Sequence, residues 1–499
     1  MSTDNERRPT VVIVGAGASG TLVALHLVRA ARLRSVPLDI ILLDPAERWG
    51  RGVAFATGDR RHLLNVPATG MSALPEDRGH FPRWLGPELR RDPATNVFMP
   101  RRLFAQYLDE TLTHEQRAAD QHILLRHVRA TVSGVERSGD RWFVATLDGA
   151  RRRADAVVVA TGLPHVGWSW APQPLRESRF FVRDPWAPGA LDAVRREKTG
   201  PRDVLLVGTG LTMVDAVLSL SGRGNSPDRR LYAVSRSGRL PRAHRADASR
   251  AILPDISDWG DDLETIVRHA TQHLSDANAE TGDWRPGADG LRLRIAELWV
   301  RLDERDRLRF LSGYAGKWNV LRHRLPPSSA HSIRSLIARD RLDLKPAEVL
   351  GAVPLARGGL SVTLSDHTVR EVGWVVNCTG PQLDVRDLRN PLLDDLLKPR
   401  VGGALATIAT AGMGFRTEGG QLVDQSGTAR APLWTLGALR RGEIWESTAV
   451  PEIRDQAVAV ASAVLDTFAA AVKRVPNGGA PGAVVGRQDA EPARALAVP

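Results

Sequence analysis

Apolar and polar positions alternate along this chain in blocks that predict strands, tight turns and helices. Residues 11–14 are all apolar and β-branched, and residues 40–43 form a second apolar run that ends at Asp44. Apolar residues recur at helical spacing up to residue 28. Between the first run and this helix lies a glycine-rich turn, made of Gly15, Ala16, Gly17, Ala18, Ser19 and Gly20. This order predicts a parallel strand–helix–strand unit.

The same order of elements returns in the second half of the chain. The apolar run 204–207 leads into a second glycine turn, and the following run, 231–234, ends at Ser235 and Arg236. The second turn contains Gly208, Gly210, Leu211 and Thr212. Alternating strands around 128–147 and 349–364 follow in the respective halves. Each half closes with an apolar run before a Thr-Gly pair, and these ends contain Ala160, Thr161, Gly162 and Gly380.

We therefore predict an α/β fold with two Rossmann-like dinucleotide-binding domains, arranged as in glutathione reductase, and a helical insertion. The predicted FAD-binding domain comprises 1–165 and 381–475, and the NAD(P)-binding domain comprises 166–380. The insertion covers about 241–340, with helices over 263–274 and 291–311, and a final helix begins near Pro451. Residues 476–499 are rich in Gly, Pro and Ala and are predicted to form a disordered tail.

Composition narrows the function classes. The chain has 499 residues, 42% hydrophobic residues and a net charge of +11, which fits a soluble protein of two or three domains. Cys378 is the only cysteine, so a dithiol redox pair within the chain is excluded. We expect a cytoplasmic protein without a membrane span, a nucleic-acid motif or a metal site. The oligomeric state stays open.

The first glycine turn has the chemistry of a dinucleotide site. Gly15 permits the tight turn, Gly17 lets a pyrophosphate approach the backbone, and Gly20 lets the helix and strand pack closely. The helix start at Ala18 and Ser19 offers free N–H groups to the phosphates. Asp44 can bind ribose hydroxyls and would repel a 2′-phosphate, which predicts FAD or NAD rather than NADP.

The second turn differs at two places. Met213 replaces the third glycine, and Ser235 and Arg236 stand where the first site has an acid, with Arg239 and Arg242 just beyond. A hydroxyl and a guanidinium suit a 2′-phosphate, so this site is predicted to bind NADPH rather than NADH. The alternative is a solvated arginine cluster on a loop.

Several motifs carry a family resemblance over about residues 10–475. They are residues 50–55 (GRGVAF), 62–67 (HLLNVP), 99–101 (MPR), 208–212 (GTGLT), Trp318 with 322–324 (RHR), and 445–454 (WESTAVPEIR). The chain resembles bacterial FAD/NAD(P)-binding flavoproteins with two dinucleotide domains. More narrowly, it resembles flavin-dependent amino-acid N-oxygenases that make nitrosuccinate from aspartate in natural product biosynthesis.

The resemblance implies roles for individual cofactor-binding residues. Val132 is expected to contact adenine through its backbone. Gly437 is followed by Ala438, where relatives usually carry an Asp on the flavin ribityl chain, so that contact must differ. The last helix, with Val450 at its start, is expected to point its N-terminus at the flavin. The flavin ring is expected to lie against Gly52, Val53, Phe55, Leu64 and Asn65.

Candidates for the active site are fewer and less specific. Asn65 is expected near the flavin. Trp284 and Trp318 could form a wall of the pocket, but the default interpretation of both is core packing. His323 could be a general base, could position NADPH, or could equally be a structural histidine. Glu446 is interpreted as an acid capping the last helix. Substrate carboxylate clamps are sought among Arg101, Arg322, Arg324, Arg440 and Arg441, although for any single one of them a surface ion pair is the better interpretation.

The resemblance implies an FAD-dependent, NADPH-consuming monooxygenase that uses O₂ through a C4a-hydroperoxyflavin and N-oxygenates an amino acid such as aspartate. The alternatives are an NADPH-dependent flavin oxidase or reductase that oxygenates no substrate, and a non-catalytic redox sensor that binds FAD and NADPH. The sequence alone does not separate the first of these from a monooxygenase, because the outcome depends on how the pocket is packed.

Overall fold

The computed structural model describes residues 8–86, 97–119, 121–139, 141–163, 165–222, 229–247, 249–429 and 432–473. Strands and helices alternate along the chain, and most of the strands form two larger sheets. The predicted α/β fold with two Rossmann-like units is confirmed. The predicted tail, 476–499, lies outside the described residues. The strands are β1 (Thr10–Val14), β2 (Leu38–Asp44), β3 (Ile123–Arg129), β4 (Val132–Ser138), β5 (Arg141–Thr146), β6 (Arg151–Ala154), β7 (Ala156–Val159), β8 (Phe181–Val182), β9 (Val204–Val207), β10 (Leu231–Ser235), β11 (Leu342–Pro346), β12 (Val349–Pro354), β13 (Leu360–Leu364), β14 (Val369–Val372), β15 (Trp374–Asn377), β16 (Thr417–Glu418), β17 (Gln421–Leu422) and β18 (Leu433–Thr435).

The first sheet has the order β16-β17-β18-β7-β1-β2-β3. Strands β18, β7, β1, β2 and β3 are parallel, whereas β16 and β17 form an antiparallel edge. Strand β1, in the middle of the five parallel strands, is completely buried, which explains why its residues 11–14 are all apolar rather than alternating with polar ones. The chain leaves this sheet after β7 and returns to it with β16.

The second sheet has the order β11-β10-β9-β15-β8, and all its pairings are parallel. Strands β9 and β15 lie side by side, so the second glycine turn and the end of the closing strand meet at one edge. Two antiparallel three-stranded sheets, β4-β5-β6 and β12-β13-β14, precede the closing strands β7 and β15. The two halves therefore repeat one plan, while the exact domain boundaries stay a prediction.

The insertion consists of helices, as expected, but the predicted helix 291–311 is wrong as a single element. It is divided among α8, α9 and α10, and α10 begins after Asp303, whose side chain accepts the backbone N–H of Asp306 at 2.7 Å. The described helices are α1 (Ala18–Leu33), α2 (His80–Trp84), α3 (Arg101–Ala118), α4 (Gln173–Glu177), α5 (Ala190–Arg196), α6 (Leu211–Ser221), α7 (Leu263–Thr281), α8 (Arg285–Arg292), α9 (Ile295–Arg301), α10 (Glu304–Gly313), α11 (Ala315–Arg322), α12 (Pro327–Ala338), α13 (Pro391–Leu397), α14 (Arg441–Ile444) and α15 (Val450–Lys473).

Helices α1 and α15 cover one face of the first sheet and pack against each other. In the second unit, α6 and α12 lie together on the second sheet. Insertion residues such as Trp299 and Trp318 share a separate apolar cluster with Met413 and Trp445 of the returning segment. The insertion thereby closes over the start of α15. Among the described residues, no helix is long and apolar enough to cross a membrane.

Candidate functional site at the glycine turns

The first glycine turn is packed so tightly that side chains are excluded at two of its positions. Gly15 has φ +103°, and a Cβ there would lie 2.6 Å from the carbonyl oxygen of Ala160. A Cβ on Gly20 would lie 1.8 Å from the carbonyl oxygen of Gly15. Gly17 instead faces Gly52, with 3.3 Å between its hypothetical Cβ and the Gly52 Cα. The loop expected to carry the flavin ring therefore lies directly on the expected pyrophosphate turn.

Asp44 is at the mouth of this turn. One carboxylate oxygen accepts the backbone N–H of Ala16 at 2.7 Å, and the other accepts the N–H of Ala46 at 2.7 Å. Each oxygen has a further lone pair for a ribose hydroxyl. Ala18 and Ser19 begin α1, so their N–H groups belong to its unsatisfied first turn. The arrangement fits FAD.

The segment after Gly52 is anchored by its apolar residues. Phe55 packs on Phe104, with 5.0 Å between ring centroids, and Leu64 is 3% exposed. Val53 is 41% exposed, so this apolar side chain is available to a flavin ring. The backbone oxygen of Asn65 lies 3.0 Å from Nε2 of His244, which brings Asn65 against the insertion.

The remaining expected FAD contacts come from strand ends and from the returning segment. Gly437 has φ +69°, and a Cβ there would lie 3.1 Å from Oγ of Ser19. The Gly437 N–H donates to Gln456 of α15 at 2.9 Å, and Val450 begins that helix. The turn after β18 therefore joins the first turns of α1 and α15. Val132 begins β4, and Ala160, Thr161 and Gly162 follow β7.

The second glycine turn is open where a cofactor would approach. Gly208 has φ +109°, and a Cβ there would lie 2.3 Å from the carbonyl oxygen of Cys378. A Cβ on Gly210 would meet no atom within 4 Å, and Leu211 and Thr212 begin α6 directly after it. Gly380 follows β15 with φ +93°. Close packing beneath the turn and free space above it fit a pyrophosphate.

The predicted 2′-phosphate residues differ in their surroundings. The Ser235 hydroxyl lies 2.8 Å from Oγ1 of Thr209 and accepts the Gly238 N–H at 3.0 Å, so it also shapes its own loop. Arg236 is exposed at the end of β10. Just beyond lies a cavity of about 760 Å³, lined by apolar residues and by the cations Arg239, Arg242, Lys317 and Arg334. A cationic cavity beside the turn fits an anionic nucleotide.

A buried polar contact joins the two dinucleotide units. Arg101 forms an ion pair with Asp215 of α6 at 2.7 Å, and its Nε donates to the carbonyl oxygen of Leu63. Nε2 of His62 lies 2.9 Å from Oγ of Ser219, also on α6. Burial raises the pKa of Asp215 and lowers that of His62. The guanidinium expected to clamp a substrate at Arg101 is thus already paired within the chain.

The insertion meets the flavin unit through Glu446, whose interpretation as a helix cap needs correction. Its carboxylate accepts Nε1 of Trp318 at 2.8 Å and Nε of Arg322 at 3.1 Å. Burial has the largest single influence and would raise the pKa of Glu446, but Arg322, His323, Arg292 and the hydrogen bond from Trp318 together hold it below its usual value. Glu446 therefore anchors two of the predicted catalytic residues.

The two remaining candidates lie on the same connection. Burial lowers the pKa of His323 to about 4, so its ring is neutral at neutral pH and is a weak base. Arg324 is 3% exposed, pairs with Asp289 at 3.0 Å and lies over the Trp284 ring. His323 is next to Arg322, but Arg324 points to a separate partner in α8. No group of three or more potential metal ligands occurs in the described part of the chain.

Sequence reasoning missed Asp215 and underrated Glu446. Asp215 is the one charged residue in the largely buried α6, and a lone acid in a buried pattern indicates a buried partner. Nothing local marks Glu446, because its partners lie 124 and 128 residues away in sequence.

Comparison of the sequence with protein families agrees with a dinucleotide site at the first glycine turn. Residues 12–164 match the family model described as FAD-NAD(P)-binding. No curated protein matches the sequence.

Solved structures share the fold over almost the whole chain. Ornithine hydroxylase from Pseudomonas aeruginosa aligns with a TM-score of 0.60 and 15% identity, covering 93% of this chain and 100% of that one. L-lysine 6-monooxygenase from Pseudomonas syringae aligns with a TM-score of 0.59 and 18% identity, covering 91% and 99%. Ornithine N-hydroxylase from Kutzneria sp. 744, with reduced FAD, NADP⁺ and L-ornithine, gives 0.56 and 16%, covering 93% and 100%. The chain thus has the fold of two-dinucleotide flavoproteins.

Proposed function

We propose that this protein is an FAD-dependent, NADPH-consuming monooxygenase that N-oxygenates an amino acid. The observation that carries the proposal is the pairing of two glycine turns with opposite chemistry. The carboxylate of Asp44 lies against the first turn and suits FAD. Arg236 and a cationic cavity lie beyond the second turn and suit NADPH. Bound FAD, reduced by NADPH, supplies the oxygen-activating chemistry.

The chain's own residues have three tasks in this proposal. Arg101 and Asp215 fix α6, and with it the NADPH turn, against the flavin unit. The Trp318 and Arg322 contacts to Glu446 close the insertion over the start of α15 and help exclude water. An amine must be neutral to react, and His323, which is uncharged at neutral pH, can accept a hydrogen bond from it rather than its proton.

An amine substrate is supported by the solved structures that share the fold, which are named as hydroxylases of ornithine and as a lysine monooxygenase. Aspartate is the first substrate to test, because the motifs 50–55, 62–67 and 445–454 resemble the nitrosuccinate-forming enzymes.

The test is anaerobic mixing of the purified protein with NADPH, followed by O₂ in the presence of L-aspartate, L-ornithine or L-lysine. We expect bleaching of the flavin band near about 450 nm by NADPH. We then expect an N-oxygenated product in proportion to the NADPH consumed. Stoichiometric peroxide without product from any amine would favour an oxidase, and no bleaching by NADPH would favour a non-catalytic sensor.

A further inference from the structure

The structure separates the five arginines considered as carboxylate clamps. Arg441 has no ion pair within the described part of the chain, and its buried Nε atom, like that of Arg440, has no hydrogen-bond partner there. The other four are each paired with a carboxylate, at 2.7 Å for Arg101–Asp215, 3.1 Å for Arg322–Glu446, 3.0 Å for Arg324–Asp289 and 3.2 Å for Arg440–Glu443.

The surroundings of Arg441 stabilise its charge only in part. Its guanidinium lies over the Trp445 ring at 4.6 Å, and that ring stacks on Trp299 with 5.2 Å between centroids. Burial lowers the pKa of Arg441. A ring face attracts the cation. It cannot, however, accept hydrogen bonds from the five N–H donors of a guanidinium, because these donors point outward in the plane of the group. Arg441 as a whole is half-buried, and a charge that has lost part of its hydration in this way gains from pairing with an anion.

The nearest acid does not complete this pair. Glu446 influences Arg441 electrostatically and accepts hydrogen bonds from Trp318 and Arg322, but it forms no hydrogen bond or ion pair with Arg441. The chain therefore supplies the Arg441 cation and an aromatic ring beneath it, whereas the neighbouring acid binds other side chains.

The position of Arg441 links it to the site. It begins α14 directly after the turn that starts at Gly437, and α15 begins shortly afterwards at Val450. Trp299 of the insertion donates its Nε1–H to the carbonyl oxygen of Gly442 at 3.1 Å. Arg441 thus lies where the insertion meets the segment expected to line the flavin.

We propose that Arg441 binds the carboxylate of the substrate through a charge-assisted, fork-shaped pair of hydrogen bonds. The enzyme then selects amino acids over amines that lack a carboxylate. The amine part of this statement rests on the proposed function, whereas carboxylate binding by Arg441 does not.

The first experiment measures binding alone. L-aspartate and succinate are titrated into the FAD-loaded protein without NADPH, with tryptophan fluorescence and thermal shift as readouts. We expect Arg441→Met to weaken binding about 10- to 150-fold, the range for losing a hydrogen-bonded charge. Arg305→Met, in exposed α10, is the control and should bind as the parent does. Arg441→Lys keeps the charge but loses the fork, and should show an intermediate loss even where the Met variant folds poorly.

The second experiment compares turnover of matched pairs that differ only in the α-carboxylate: L-aspartate with β-alanine, L-ornithine with putrescine, and L-lysine with cadaverine. The parent should prefer the carboxylated member, and Arg441→Met should lose that preference while NADPH still reduces its flavin. If carboxylate binding depends on Arg441 but no amine is oxidised, the result would support the clamp and would reject only the proposed function. A parent that binds neither carboxylate, or an Arg441→Met protein that binds them equally well, would overturn the clamp.

Discussion

Arg101 reaches from the first dinucleotide unit to Asp215 in the second, with its Nη2 atom 2.7 Å from the Oδ2 atom of the carboxylate. Both side chains are largely buried, at 14% and 7% exposed. Since α6 begins at the NADPH turn, this contact holds the expected nicotinamide site at a fixed place relative to the flavin loop.

Replacing one partner of this pair should be costly. We expect Arg101→Met to lower the free energy of unfolding by about 3–5 kcal/mol, because it leaves Asp215 buried and unpaired. Urea denaturation measures the change. The control is Arg357→Met, whose exposed pair with Glu371 should contribute no more than about 1 kcal/mol. Adding Asp215→Leu to Arg101→Met should recover part of the loss, and no recovery would argue against the pair.

The two glycine turns should respond differently to the same small change. Gly20→Ala puts a methyl group 1.8 Å from a carbonyl oxygen, so we expect a loss of about 3 kcal/mol or more and poor FAD retention. Gly210→Ala meets no protein atom within 4 Å and should leave stability unchanged. It should instead raise KM for NADPH, because the methyl group stands where the pyrophosphate approaches. Thermal unfolding and steady-state kinetics separate the two effects.

Nucleotide preference should depend on Arg236. We expect Arg236→Glu to raise KM for NADPH at least about tenfold and to change KM for NADH little, because only NADPH carries the 2′-phosphate. Flavin reduction with each nucleotide measures this. Arg268→Glu makes the same charge change on exposed α7 and should affect neither. Equal rises for both nucleotides would contradict the phosphate assignment.

Acid should destabilise the protein partly through His26. Burial lowers its pKa to about 4 from the usual 6.5, so the unfolded chain binds more protons between these values. Stability should therefore fall as the pH falls from about 6.5 to about 4, by about 3 kcal/mol for this group. Urea unfolding at several pH values should show a smaller fall in His26→Gln, which keeps His244 and His323. An unchanged fall would show that His26 does not carry this dependence.

Local patterns predicted most of the fold. An apolar strand, a glycine turn and an amphipathic helix are contiguous in sequence, so the sites around Gly15 and Gly208 could be predicted without the tertiary structure. The broken helix over 291–311 shows where periodicity fails. Its apolar spacing continues across a capping signal at Asp303, which competes with helix continuation.

The sequence by itself determined the fold class, both dinucleotide turns and the acid-versus-arginine contrast between Asp44 and Arg236, because all of these depend on neighbours along the chain. Only the tertiary structure decided which charges are paired. Arg101 and Arg322 looked as available as Arg441 until partners more than a hundred residues away reached them. Ion pairs are formed by side chains brought together by folding, and separation in sequence carries no information about that approach.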